Sequence, residues 1–122
     1  MFEPAAELII YYQALGEALA MARPLGLEPE RLMDMIADSS GGPAMMKTRA
    51  PSVAKLMKGE ETPVTFDIAG CVKDLQSMQA EGRARGISLP LVQLTLACME
   101  ESASKGLAAK EAAAHSVYWA RK

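Results

Sequence analysis

Apolar residues recur along this chain at three- and four-residue steps, with no two-residue alternation of useful length, so the pattern predicts helices and no strands. The first segment runs from about Pro4 to Arg23. Leu8, Tyr12, Leu15, Leu19 and Ala22 form one stripe there, and Ile9 and Tyr11 widen it. Pro24 and Gly26 stop this helix. A second helix follows at Pro29, a residue suited to a first turn whose N–H would have no partner. Its predicted apolar face is Leu32, Met35 and Ile36, and Ser39-Ser40-Gly41-Gly42-Pro43 ends it. Ala44–Lys58 reads as weaker helix that Pro51 must interrupt, giving two short helices or one broken one.

Beyond the turn-like stretch Gly59–Pro63, a strong helix starts near Thr65–Asp67 and runs to about Arg85. Thr65 or Asp67 is its cap, and Ile68, Val72, Leu75 and Gln79 are its inner stripe. Gly86 stands where a C-terminal glycine is expected. Ser88 and Pro90 announce the next helix, which carries Leu91, Leu94, Cys98 and Met99 on its face and ends before Gly106. A last helix spans about Ala109–Ala120, with Ala113, Val117 and Ala120 inward. The expected fold is all-α: a compact bundle of five to seven helices in a single domain, residues 1–122. The short connections suit such a bundle.

Composition agrees with this reading. The 122 residues are 50% hydrophobic and 23% charged, but only 5% aromatic. That is a globular balance rich in unbranched helix formers, and a length suited to one core. The net charge of -2 with no basic cluster argues against nucleic acid as a partner. No apolar run approaches the roughly 20 residues that span a membrane, and no signal peptide opens the chain. Cys71 and Cys98 are too few and too far apart for a metal site or a disulfide framework; both read as buried thiols suited to a reducing cytoplasm.

Candidate chemistry is sparse. His115 is the sole histidine, and in an alanine-rich helix it reads as a surface or packing residue. Glu60-Glu61 and Glu100-Glu101 read as solvated charges, and the nine methionines as core filler. There is no G-x-G-x-x-G fingerprint and no P-loop. One local pattern stands apart. Phe66 opens a helix and Lys73-Asp74 lie two turns later, so Phe66 and Lys73 share a face about 10 Å apart along the axis. An aromatic wall beside a cation could hold an aromatic, negatively charged ligand such as a nicotinamide nucleotide. The alternative is a core Phe and a solvated Lys.

The order of short motifs points to a family. Glu17-Ala18-Leu19, Leu25-Gly26-Leu27-Glu28-Pro29 and Ser39-Ser40-Gly41 come first. Phe66 with Lys73-Asp74-Leu75 follows, then Leu89-Pro90, Lys105-Gly106 and Lys110-Glu111. This series resembles the C-terminal, NAD-binding helical domain of the β-hydroxyacid dehydrogenases, the family of 3-hydroxyisobutyrate dehydrogenase, over nearly the whole chain. The resemblance implies a fold like the 6-phosphogluconate dehydrogenase C-terminal domain. It also implies oxidation of small 3-hydroxy acids with NAD or NADP, once an N-terminal Rossmann domain, absent from this sequence, is supplied. Lys73 would contact the cofactor near its nicotinamide end, Phe66 would wall the cleft, and Asp74 would hydrogen-bond structurally.

Departures from the family pattern locate the deficit. The family's catalytic lysine falls at Met1, and its paired asparagines fall at Pro4 and Ala5. No catalytic residue is therefore assigned, and the chain is expected to be inactive alone. The first helix has apolar residues on more than one side (Leu8, Ile9, Ile10, Tyr11, Tyr12), which suggests a homodimer. The alternative function is a stand-alone helical interaction or small-acid-binding module without catalysis.

Overall fold

The computed structural model describes residues 5–122; the positions of Met1 and Pro4 lie outside the described residues. Its elements are α1 (Ala5–Ala22), α2 (Pro29–Asp38), α3 (Met46–Met57), α4 (Ile68–Arg85), α5 (Pro90–Ser102) and α6 (Ala113–Ala120). A 3-10 turn at Arg23–Leu25 follows α1, and a π-turn at Ala103–Leu107 follows α5. Among the described residues the one pairing of extended backbone is an isolated bridge between Asp67 and Glu111. The all-α expectation holds, with six helices.

α1 is the central strut. It packs along α6 and also touches α4 and α5, while α2 pairs with α3 and α4 with α5. Ile9, Tyr12 and Leu15 of α1 meet Met33, Met46, Val53, Ile68, Leu75 and Met99 in a core from which water is excluded. Three methionines from three helices share this centre, where flexible thioethers fill the irregular gaps between crossing helices. The approach of α1 to α6 depends on Gly16: a Cβ there would lie 2.8 Å from the Cβ of Trp119 and 3.1 Å from the carbonyl oxygen of Ser116.

Several helix ends follow the chemistry of their residues. Asp67 Oδ1 accepts the N–H of Gly70 at 2.7 Å, which caps α4 as expected. Gly86 terminates α4 at φ 67°, a left-handed conformation that favours glycine. Pro90 opens α5, but its N-cap is Leu89 without a side-chain bond, so Ser88 is not the cap.

Four expectations need correction. α3 passes unbroken through Pro51. Its first four-residue bond runs from Arg49 N to Met45 O, so the proline sits barely past the first turn. It also faces solvent, where water can satisfy the carbonyl that loses its N–H partner. In α2, Met33 and Ala37 are buried with Leu32, whereas Met35 is exposed. In α5 the buried set is Val92, Thr95, Met99 and Ser102, and Leu91 and Leu94 are 63% and 65% exposed. The buried face carries Ser102, whose hydroxyl lies 2.7 Å from Nδ1 of His115. Finally, α6 begins at Ala113 and not Ala109, since residues 108–112 are engaged with the backbone before α4.

Candidate functional site

The segment leading into α4 is extended and stitched to the one leading into α6. Ile68 N donates to Lys110 O at 3.0 Å, Ala69 N to Ala108 O at 2.8 Å, and Ala112 N to Phe66 O at 2.8 Å. The Glu111 side chain completes the clasp. One oxygen accepts from Thr65 N (2.7 Å), Thr65 Oγ1 (2.9 Å) and Phe66 N (3.3 Å), and the other from Ala112 N (3.0 Å). Arg49 of α3 donates to Thr65 Oγ1 at 3.2 Å and stands 4.0 Å from Glu111.

Phe66 itself precedes α4 by two residues, so its relation to Lys73 is not the simple seven-residue helical step. Its ring instead folds back over Gly70, where a Cβ would lie 2.8 Å from Phe66 Cε1. Gly70 is three residues before Lys73 in the same helix, and positions three apart share a face. The ring thus lies over a position on the same face of α4 as residue 73 by way of Gly70, a residue the sequence pattern did not single out. Phe66 is 37% exposed and Lys73 is exposed, so neither is spent on the core. Among the described residues Lys73 joins no ion pair. Asp74 is half-buried beside Cys71 and adds to the upward push on that thiol.

Other polar groups are structural. His115 is fully buried between Ser102 and Gln13, with Nδ1 2.7 Å from Ser102 Oγ and Nε2 2.6 Å from Gln13 Oε1. Gln13 Nε2 donates to Glu17 at 2.8 Å, which orients its amide and leaves Oε1 as acceptor. His115 must then donate from Nε2 and accept at Nδ1 from the Ser102 hydroxyl. Burial holds the imidazole neutral, pushing its pKa down to about 4. Ser102 and His115 are both shut away from any substrate, so this chain of bonds is a packing device, in line with the packing role expected for His115.

The thiols differ. Cys71 is buried and pushed up to about 12 by desolvation and the nearby carboxylates, whereas Cys98 is only half-buried. Glu60, Glu61 and Glu100 are solvated as expected. Glu101 is not: it accepts from Tyr118 Oη and Lys122 Nζ, both at 2.7 Å, which hold its carboxyl below the usual range. Among the described residues no three His, Cys, Asp or Glu side chains converge as metal ligands, and no helix is long and apolar enough to cross a membrane. A cleft of about 850 Å³ opens between the end of α3, the 59–64 loop and α6, but Phe66, Lys73 and Asp74 do not line it. It is lined by Tyr118 and by charges that are largely spent within the fold: Lys110 pairs with Glu61, Lys122 with Glu101, and Arg121 donates to the Met57 carbonyl oxygen at 2.6 Å.

Comparison with known proteins bears on the family and the fold. The L-threonate dehydrogenase of Cupriavidus necator is 34% identical over 83 residues, which are 67% of this chain and 26% of that protein. The chain thus spans about a quarter of the length of this curated relative. The crystal structure of 3-hydroxyisobutyrate dehydrogenase from Salmonella typhimurium has the same fold over 91% of this chain and 38% of its own, with a TM-score of 0.76 at 22% identity. The family model described as the NAD-binding domain of NADP-dependent 3-hydroxyisobutyrate dehydrogenase matches residues 8–118. This chain belongs to that family of dehydrogenase helical domains.

Proposed function

We propose that the chain is the C-terminal, cleft-completing part of an NAD(P)-dependent 3-hydroxy-acid dehydrogenase and acts together with a Rossmann domain. The observation that carries this is the α4 face, with Phe66 folded onto Gly70 and, one turn on, Lys73 exposed and in no ion pair among the described residues. Those groups suit a nicotinamide nucleotide: a flat apolar ring beside a cation that can meet a phosphate or carboxamide oxygen. The cofactor, when bound, supplies hydride transfer. Lys73 and Phe66 would help hold its nicotinamide end, and Asp74 would support the helix face that presents them.

Proton transfer to or from the substrate hydroxyl needs a group within hydrogen-bond reach. With Met1, Pro4 and Ala5 at the family's lysine and asparagine positions, the chain supplies no such group and is inactive alone on this reading. A homodimer is part of the proposal. The apolar surplus on α1 is mostly used, since Leu8, Ile10 and Tyr11 pack against the core. The outer face of α5 offers Leu91 and Leu94 instead. The same face favours the second reading, a helical interaction module without catalysis.

The test is to supply a family Rossmann domain and titrate NAD and NADP against the reconstituted protein, with and without Lys73→Ala. The expected result is weaker dinucleotide binding in the variant with an unchanged melting temperature. Equal affinity and turnover would remove Lys73 from the site, and no dinucleotide response in either protein would favour the interaction module.

A further inference from the structure

Phe66 is held in place by something other than packing. Its ring is more than a third exposed, so burial alone does not fix where it lies. What determines its position is the backbone on either side of it. Phe66 O is tied to Ala112 N, and Phe66 N and Thr65 N both point at one oxygen of Glu111. That carboxylate is 5% exposed, accepts four hydrogen bonds, and has the Arg49 guanidinium as its nearest charge. Burying a carboxylate is costly unless its lone pairs are filled by donors, and here backbone and hydroxyl donors fill them. A cheaper apolar residue would seal the core equally well, so the charge has a use beyond sealing.

We infer that Glu111 is the positioning residue for Phe66: its buried carboxylate locks Thr65 and Phe66 in the extended conformation that lays the Phe66 ring over Gly70 beside Lys73. Thr65 relays this hold to α3, because its hydroxyl donates to Glu111 and accepts from Arg49. Glu111 does not touch the ligand; it acts through Phe66. The inference rests on the cofactor reading only for its consequence in binding. The hold of Glu111 on Phe66 stands or falls separately.

The experiment compares the wild-type chain with Glu111→Gln by NMR hydrogen exchange, and both with nicotinamide mononucleotide as the probe. A glutamine amide has one acceptor oxygen: with its N–H₂ at Ala112 N, donor against donor, the bonds from Thr65 and Phe66 lose the charge that strengthens them, and with its N–H₂ at Thr65 N they are lost. Thr65 and Phe66 amides are then expected to exchange roughly ten-fold faster, while Val117 and Met99 keep their protection. Nucleotide-induced shifts of the Phe66 ring should need at least several-fold more ligand in the variant. Thr65→Val, a change at an exposed residue, gives a weaker effect in the same direction and serves if Glu111→Gln does not fold. Unchanged protection of Thr65 and Phe66 in both variants would overturn the inference. So would a loss of affinity without loss of protection, since that would make Glu111 a mere charge. Nucleotide shifts that are absent in the wild type and in Lys73→Ala would instead overturn the cofactor reading, with the exchange data still deciding the role of Glu111.

Discussion

Nε2 of His115 lies 2.6 Å from Oε1 of Gln13, a buried hydrogen bond that joins the last helix to the first across 102 residues of sequence, beside a second from Ser116 Oγ to the Tyr12 carbonyl oxygen. With Ser102 on the other ring nitrogen, the bonds tie α1, α5 and α6 together, and burial keeps the imidazole neutral.

This network makes stability pH-dependent in a defined window. Above pH 6.5 the histidine is neutral whether folded or unfolded, and it contributes no slope. As pH falls from 6.5 toward about 4, the unfolded chain takes up a proton that the folded one refuses, so stability is lost. Over that interval the loss is about 3 kcal/mol. Glu30 and Glu101, whose carboxyls are held low by lysine partners, add their own losses only below the ordinary carboxylate range. Urea denaturation between pH 7 and 5 should show the decline, and His115→Gln should flatten it. Parallel pH profiles for the two proteins would contradict this account.

Gly16→Ala should destabilise the fold although alanine is the better helix former. The added methyl would meet Trp119 Cβ at 2.8 Å and the Ser116 backbone at 3.1–3.2 Å, none of which is the end of a flexible side chain. Overpacking of this kind costs about 1–3 kcal/mol against a propensity gain of at most ~1 kcal/mol. A lower urea midpoint is expected; an unchanged or higher one would mean that α1 and α6 can part without penalty.

Pro51→Ala should have the opposite sign. It restores an N–H that can bond to the Lys47 carbonyl inside α3, at a solvent-exposed site. The gain in the helix exceeds the entropy that proline removes from the unfolded chain, leaving about 1 kcal/mol or more of stabilisation. Thermal melting followed by circular dichroism measures it, and a drop in Tm would show that the proline ring makes a contact of its own.

The two thiols should separate under alkylation. Cys71 is sealed in the core and its thiol is pushed up to about 12, so at pH 8 it offers neither access nor thiolate. Cys98 is half-buried, and burial raises it as well. Iodoacetamide at pH 8 should label Cys98 slowly and Cys71 only after unfolding, as read by peptide mass spectrometry. Equal labelling of both in the native protein would place Cys71 in an opening segment.

Local pattern placed five of the helices, put weaker, interrupted helix where α3 runs unbroken, offered Thr65 or Asp67 as the α4 cap, and located the Gly86 stop and most of the inner stripe of α1, because 3.6-residue spacing and capping chemistry are local properties of the chain. The motif series also placed Lys73 and Phe66 in a family pattern. What local pattern could not supply was the partner of each face. The buried face of α5 includes Thr95 and Ser102, and the Ser102 hydroxyl meets His115 there, a contact that hydrophobicity counts as unfavourable until both partners are known. The passage of α3 through Pro51 depended on which way that residue faces. The reach of Phe66 to the Lys73 side depended on a missing Cβ at Gly70 and on a carboxylate 45 residues downstream in sequence. Helices follow from neighbours along the chain. The hydrogen bonds that fix the Phe66 backbone, and those that join α1, α5 and α6, follow from buried polar groups that only the folded chain brings within reach.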